Sequence, residues 1–303
     1  MRIVSLLPSA TELLFAIGAG ADLVAVTHEC DHPEAARELP AVTRNTLDHS
    51  GQPAAAIDRH IRAARHQGSS IYSLDEGALR SLRPDLVVTQ ELCDVCAVAY
   101  RDVAQAVRRL PGSIDVLSLE PASLGDIVST VATLGAATGR DAGAARLSAA
   151  MTERLAAVDA LPAPAPSPAT VCVEWTDPIM VGGHWVPEMV RRAGGRDQLG
   201  VEGRPSRYVE WNEVLEAGPE ALVLMPCGFD LPRTIELAAG ITERPGFTAL
   251  PCAQTRRVVA VDGSSYFNRP GPRIVDGLEI LATVLRAEPG ARLPLGAAWV
   301  ATS

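Results

Sequence analysis

The chain has 303 residues, is 47% hydrophobic and 21% charged, and carries a formal net charge of -9. That length and composition allow one large domain or two ordinary ones with a sizeable core, and the acidic balance argues against a general nucleic-acid binder, which needs a basic face. No run of about 18 apolar residues occurs, so no transmembrane helix is expected.

The opening residues, Met1 to Pro8, hold too short an apolar stretch for a secretory signal. A cytoplasmic protein is therefore expected, or a periplasmic or cell-surface one if the start is misassigned. Arg2 to Leu7 reads as a short strand, followed by an apolar helical stretch that ends at Gly18. Ser9 is a candidate N-cap, with Glu12 three residues on in a capping-box arrangement. Leu23 to Thr27, Asp85 to Thr89 and Ile114 to Leu117 read as further strands, alternating with helical segments. From about Ser123 to Leu161 the pattern becomes a long Ala-rich helix, weakened by Gly135, Gly139 and Gly143, with a break expected near Gly139. A Pro-rich connector follows at 162–168. The alternation then restarts, with strands at Thr170 to Trp175, Ala221 to Met225 and Arg257 to Val261. Helices are expected at about Pro187 to Ala193, Trp211 to Ala217 and Pro272 to Arg286.

The expected fold class is thus α/β: two Rossmann-like lobes with parallel sheets, joined by one long helix. The divisions are a lobe at 1–122, a connecting helix and linker at 123–168, a second lobe at 169–290 and a tail at 291–303. A single helical crossing would permit small closing motions of the lobes.

Ligands of parallel α/β sheets sit off the carboxyl ends of the strands. The loops there are 8–12, 28–32 and 90–96 in the first lobe, and 176–185, 226–229 and 262–270 in the second. They gather four of the six cysteines and three of the six histidines. His28, Cys30 and His32 alternate, so in an extended segment they share one face, and with Cys93 and Cys96 they make a donor set suited to zinc or iron. Buried thiols that only pack and a redox pair are the competing readings. Cys227 offers a further thiol. Trp175, His184, Trp185, Tyr266 and Phe267 could wall a ligand, with Arg269 meeting its polar groups, although core packing is an alternative for Trp175 and Phe267. The helix start spanning Pro8, Ser9, Ala10, Thr11 and Glu12 could accept a ligand oxygen on its amides or be a simple cap. The sequence contains neither a Gly-x-Ser-x-Gly elbow nor a phosphate-binding P-loop, and no enzyme is expected.

Four segments carry a family resemblance: Leu7-Pro8-Ser9-Ala10-Thr11-Glu12 through Gly18, Arg83-Pro84-Asp85-Leu86-Val87-Val88, Gly182-Gly183-His184-Trp185 through Asp197, and Tyr266-Phe267-Asn268-Arg269-Pro270 through Arg273. Their ordered set resembles the cobalamin- and ferric-siderophore-binding proteins of ABC importers. It is similar in particular to a subgroup labelled cobalamin-binding protein that shares the Thr-His-Glu-Cys-Asp-His-Pro and Leu-Cys-x-Val-Cys segments. The resemblance implies the class III substrate-binding clamshell, cobalamin as ligand in the cleft between the lobes, and an importer permease as partner. The alternative expectation is a metal-ion, haem or siderophore carrier that uses the Cys/His cluster. Neither nucleic acid nor membrane insertion is expected.

Overall fold

The computed structural model describes residues 1–45, 51–66, 72–90, 100–109 and 113–302. The chain divides into two compact units, one comprising Met1–Pro121 with Gly125–Ala150, the other Ala122–Leu124 with Met151–Ser303.

The first unit contains β1 (Ile3–Ser5), α1 (Pro8–Ala16), β2 (Leu23–Ala25), β3 (Thr43–Asn45), α2 (Ala54–His66), β4 (Tyr72–Leu74), α3 (Glu76–Leu82), β5 (Leu86–Thr89), α4 (Tyr100–Arg108) and β6 (Asp115–Ser118). Its main sheet runs β2-β1-β5-β6, parallel throughout. The sequence explains why β1 and β5 lie inside: both are short apolar runs buried along their whole length, as strands covered on both faces must be. Val4, Leu6, Ala25, Val87 and Val103 form its core with Leu79 of α3. Strands β3 and β4 pair antiparallel as a separate ribbon. The helix α3 is capped by Asp75, whose carboxylate accepts from the Ala78 amide at 2.8 Å.

Two helices follow, α5 (Leu124–Thr138) and α6 (Asp141–Asp159). The break falls where expected, at Gly139, whose φ of +67° is the left-handed conformation glycine adopts without strain.

The second unit contains β7 (Ala169–Thr176), β8 (Ile179–Val181), α7 (Val186–Arg192), β9 (Arg196–Asp197), β10 (Arg207–Tyr208), α8 (Trp211–Ala217), β11 (Ala221–Leu224), α9 (Leu231–Leu237), α10 (Ala239–Thr242), α11 (Pro251–Gln254), β12 (Val258–Val261), α12 (Gly263–Tyr266), α13 (Ile274–Arg286) and β13 (Ala297–Trp299). Its sheet runs β10-β8-β7-β11-β12-β13, with β9 beside the start of β7. The centre, β7-β11-β12, is parallel as expected. The edges are not. Only Asp177 and Pro178 join β7 to β8, too little chain for a crossover, so this pair is an antiparallel hairpin. The residues read as a tail supply β13, which lies antiparallel against β12. Val171, Val173, Leu222, Leu224, Val258 and Phe247 anchor the core of this unit.

Candidate functional site

In the first unit the start of α1 departs from the sequence expectation. The N-cap is Leu7 with extended backbone, Pro8 occupies the first turn, and no side chain caps the helix. Proline favours that place because its φ is already helical and it has no N–H to satisfy. Ser9 is therefore inside the helix rather than its cap. Ser9, Ala10, Thr11 and Glu12 are all buried, which leaves Pro8 as the part-exposed member of the group.

Thr11 instead organises a buried polar chain. Its hydroxyl donates to Ser5 Oγ at 2.9 Å and lies 3.1 Å from the Cys30 thiol, which is 3.2 Å from the Thr27 hydroxyl. Residues 28–29 form a turn, closed by the Cys30 amide donating to the Thr27 carbonyl at 3.1 Å, so the alternation of an extended segment does not apply. The His28 ring instead has its Nδ1 2.8 Å from the Thr43 hydroxyl and its centroid 5.3 Å from that of Tyr72. His32 precedes Pro33 in a cis peptide. Among the described residues no three His, Cys, Asp or Glu side chains converge as a metal cluster. The expected trio of His28, Cys30 and His32 does not close on a metal by itself, and Cys93 and Cys96 lie outside the described residues.

The strand-end loops of the second unit bring more together. Trp175, at the end of β7, stacks on Phe229, with ring centroids 5.5 Å apart and planes 25° apart, and the Arg233 guanidinium lies 5.7 Å over the Phe229 ring. The indole N–H of Trp175 donates to the Asp177 carbonyl at 3.1 Å, which fixes the ring. Cys227 is held in the next loop by its amide donating to the Glu174 carbonyl at 3.0 Å. Among the described cysteines it alone is part-exposed, while Cys30, Cys172 and Cys252 are buried. Burial pushes the Cys252 thiol up to about 12 and the Cys172 thiol well above its usual range, so both stay protonated.

His184 has a φ of +50°, uncommon for a non-glycine residue, and is clamped by its amide donating to the Arg204 carbonyl at 2.6 Å and its carbonyl accepting from Gly203 at 2.9 Å. Burial lowers its imidazole below the ordinary histidine value, so the neutral ring with a free lone pair dominates at neutral pH. Trp185 and Phe267 lie in the core. Phe267 is fully buried, and Trp185, 5% exposed, spends its indole N–H on the Phe267 carbonyl at 2.8 Å. These two tie α7 to the 262–270 loop from inside. Tyr266 and Arg269, by contrast, are part-exposed, and the Arg273 guanidinium lies 5.9 Å over the Tyr266 ring.

Two further groups join residues distant in the chain. Glu174 and Ser206, 32 residues apart, meet at 2.5 Å, the hydroxyl donating to the carboxylate while it accepts from the Gly183 amide at 3.1 Å. This chain pins the His184 turn to the end of β7. At Gly263 an added Cβ would lie 2.6 Å from the Pro226 carbonyl, 2.8 Å from the Met225 carbonyl and 2.7 Å from Asn268 Oδ1. Asn268 Oδ1 is buried and has no hydrogen-bond donor. A glycine is thus what lets the 226–229 and 262–270 loops lie against each other. Only the loop composition, rich in Gly, Ser and Asn, hints at such an approach.

The periplasmic binding protein family matches residues 3–264. Solved structures share the fold across nearly the whole chain. A possible iron-binding (periplasmic solute-binding) protein from Staphylococcus epidermidis is 20% identical with a TM-score of 0.70, covering 94% of this chain and 98% of its own. The periplasmic heme-binding protein RhuT from Roseiflexus sp. RS-1 is 23% identical with a TM-score of 0.69, covering 94% and 97%. The periplasmic vitamin B12 binding protein BtuF of Vibrio cholerae is 23% identical with a TM-score of 0.67, covering 94% and 96%. At these identities the likeness is one of fold. No curated protein matches the chain. The cytoplasmic location expected from the opening residues gains no support from a family described as periplasmic. No helix among the described residues is long and apolar enough to cross a membrane.

Proposed function

The chain belongs to the periplasmic binding protein family, and on that premise we propose that it is the binding component of an ABC importer that carries a cobalamin-type corrinoid. In this reading it delivers its cargo to a permease and catalyses no reaction. The observation that carries the ligand class is the aromatic group at the strand ends of the second unit: part-exposed Phe229 stacked on the buried Trp175, with part-exposed Tyr266 on the loop whose Ser264 amide donates to the Phe229 carbonyl at 3.0 Å. A corrin presents broad apolar faces rimmed by amides. Rigid aromatic side chains, with a few polar groups around them, suit such a face.

A second reading, haem, a ferric siderophore or a metal ion, is favoured by the part-exposed thiol of Cys227 and the neutral imidazole of His184, both good donors to iron, cobalt or zinc. His28, Cys30 and His32 would then need Cys93 and Cys96 to complete a metal set.

The test is a titration of the full chain, purified under reducing conditions, with hydroxocobalamin and separately with haemin, followed by visible spectra and binding heat, with metal analysis of the untreated sample. Saturable one-to-one binding of the corrinoid is the expected result. Haemin binding without corrinoid binding, or stoichiometric zinc or iron already present, would replace the first reading with the second.

A further inference from the structure

Tyr266 is gripped by two glycines from elements that follow it in the sequence. Gly277, in α13, approaches the Tyr266 backbone so closely that an added Cβ would lie 2.0 Å from its carbonyl oxygen. Gly296, just before β13, lies against the ring, and a Cβ there would stand 2.5 Å from Cε2 and 3.0 Å from Cδ2. Gly296 has a φ of +88°, open to glycine and strained for other residues. Its carbonyl also accepts from the Asp262 amide at 2.8 Å, and Asp262 is the residue whose carboxylate caps α12 through the Ser265 amide at 2.8 Å. The strand that follows Gly296 is held by pairing with β12 and by the Trp299 indole donating to the Ala291 carbonyl at 2.8 Å. Neither glycine lies within the residues matched by the family, 3–264.

We infer that Gly296, fixed by β13, is a positioning residue that sets the ring of Tyr266 for ligand contact. A substitution at Gly296 therefore changes ligand affinity through Tyr266 and not through a contact of its own. The inference rests on the reading that Tyr266 touches the ligand. Its physical basis is that a ring with no room for a methyl group at one edge, and backed by a guanidinium, has little rotational freedom left to lose on binding.

The test uses the full chain labelled with fluorotyrosine, which gives one fluorine resonance for each of the four tyrosines. The Tyr266 resonance is assigned by its loss in Tyr266→Phe. Gly296→Ala is expected to move that resonance alone. For haemin or hydroxocobalamin, whichever binds, affinity should fall about tenfold in Gly296→Ala and in Tyr266→Ala, with no further fall in the double variant. Additive losses, or a resonance that stays in place, would overturn the inference. If Gly296→Ala does not fold, Trp299→Ala, which loosens the strand without a clash, must shift the same resonance and weaken binding, or the inference fails. If neither probe binds the wild type, the ligand reading fails, while the resonance still decides whether Gly296 holds the ring.

Discussion

Glu174 stands between Val173 and Trp175 on a strand of the second unit, a place where a carboxylate is costly. Burial raises its carboxyl above the ordinary value of 4.5, and hydrogen bonds from Ser206 and Gly183 offset part of that rise. In the unfolded chain the group ionises first as pH increases. Stability contributed by the protonated carboxyl is therefore full below 4.5 and is lost as pH climbs through the higher folded value. Glu174→Gln keeps the hydrogen bond from Ser206 without ionising. The wild type is expected to lose more stability than this variant between pH 4.5 and about 7, read as urea midpoints at the two pH values. Parallel losses would mean that Glu174 is ionised in the folded protein throughout. Asp197, also raised by burial, slopes the same way in both proteins and cancels in the comparison.

The three glycines between 135 and 143 separate what composition can reveal about an element from what it cannot. Helix propensity treats them alike, and it located the break because one of them, Gly139, takes the left-handed conformation. The other two are inside helices for reasons of contact. A Cβ at Gly135 would meet Ala144 Cβ at 2.5 Å, and one at Gly143 would meet the Ile17 carbonyl at 2.0 Å. Gly143→Ala should cost about 1–3 kcal/mol by forcing α6 away from the end of α1, although alanine is the better helix former. A stabilised Gly143→Ala protein in denaturant unfolding would refute that packing. The same distinction runs through the sheets. Buried apolar runs made β1, β5, β11 and β12 legible. Strands β8, β10 and β13 are short, and their pairing is decided by hairpin length and by neighbours distant in the chain, which no local period records. Among the expected site residues, Trp175 and Tyr266 stand beside partners, Phe229 and Gly296, that only the folded chain supplies.

Each of the two units has its own apolar core, one built on Val4, Leu6 and Val87 and the other on Val171, Leu222 and Val258. Chains assembled this way commonly depart from a single two-state transition. Calorimetry of the ligand-free protein is expected to give a calorimetric enthalpy larger than the van't Hoff enthalpy, and a ratio of one would show that the cores melt together. A ligand present at a hundredfold excess over its dissociation constant adds about 2.7 kcal/mol to whatever it binds, so titrated corrinoid should raise the midpoint of at least one component. The strand-end rule for parallel sheets pointed to the loops of both units from sequence alone. The contacts that shape those loops, Glu174 with Ser206 and Gly263 with the 225–226 carbonyls, join positions too far apart in sequence to be read together.

The grip of Gly296 on Tyr266 also has a consequence in time. Ribosomes add about 5–20 residues per second, so the segment carrying Gly296 is made seconds after the loop it steadies. During that interval β12 has an open edge where β13 will later pair, with Val259, Ala260 and Val261 still lacking their antiparallel partners. Such an edge is a template for the wrong strand. Refolding of a chain cut after α13 should therefore give more aggregate than refolding of the full chain, and equal yields would show that β13 does not guard this edge.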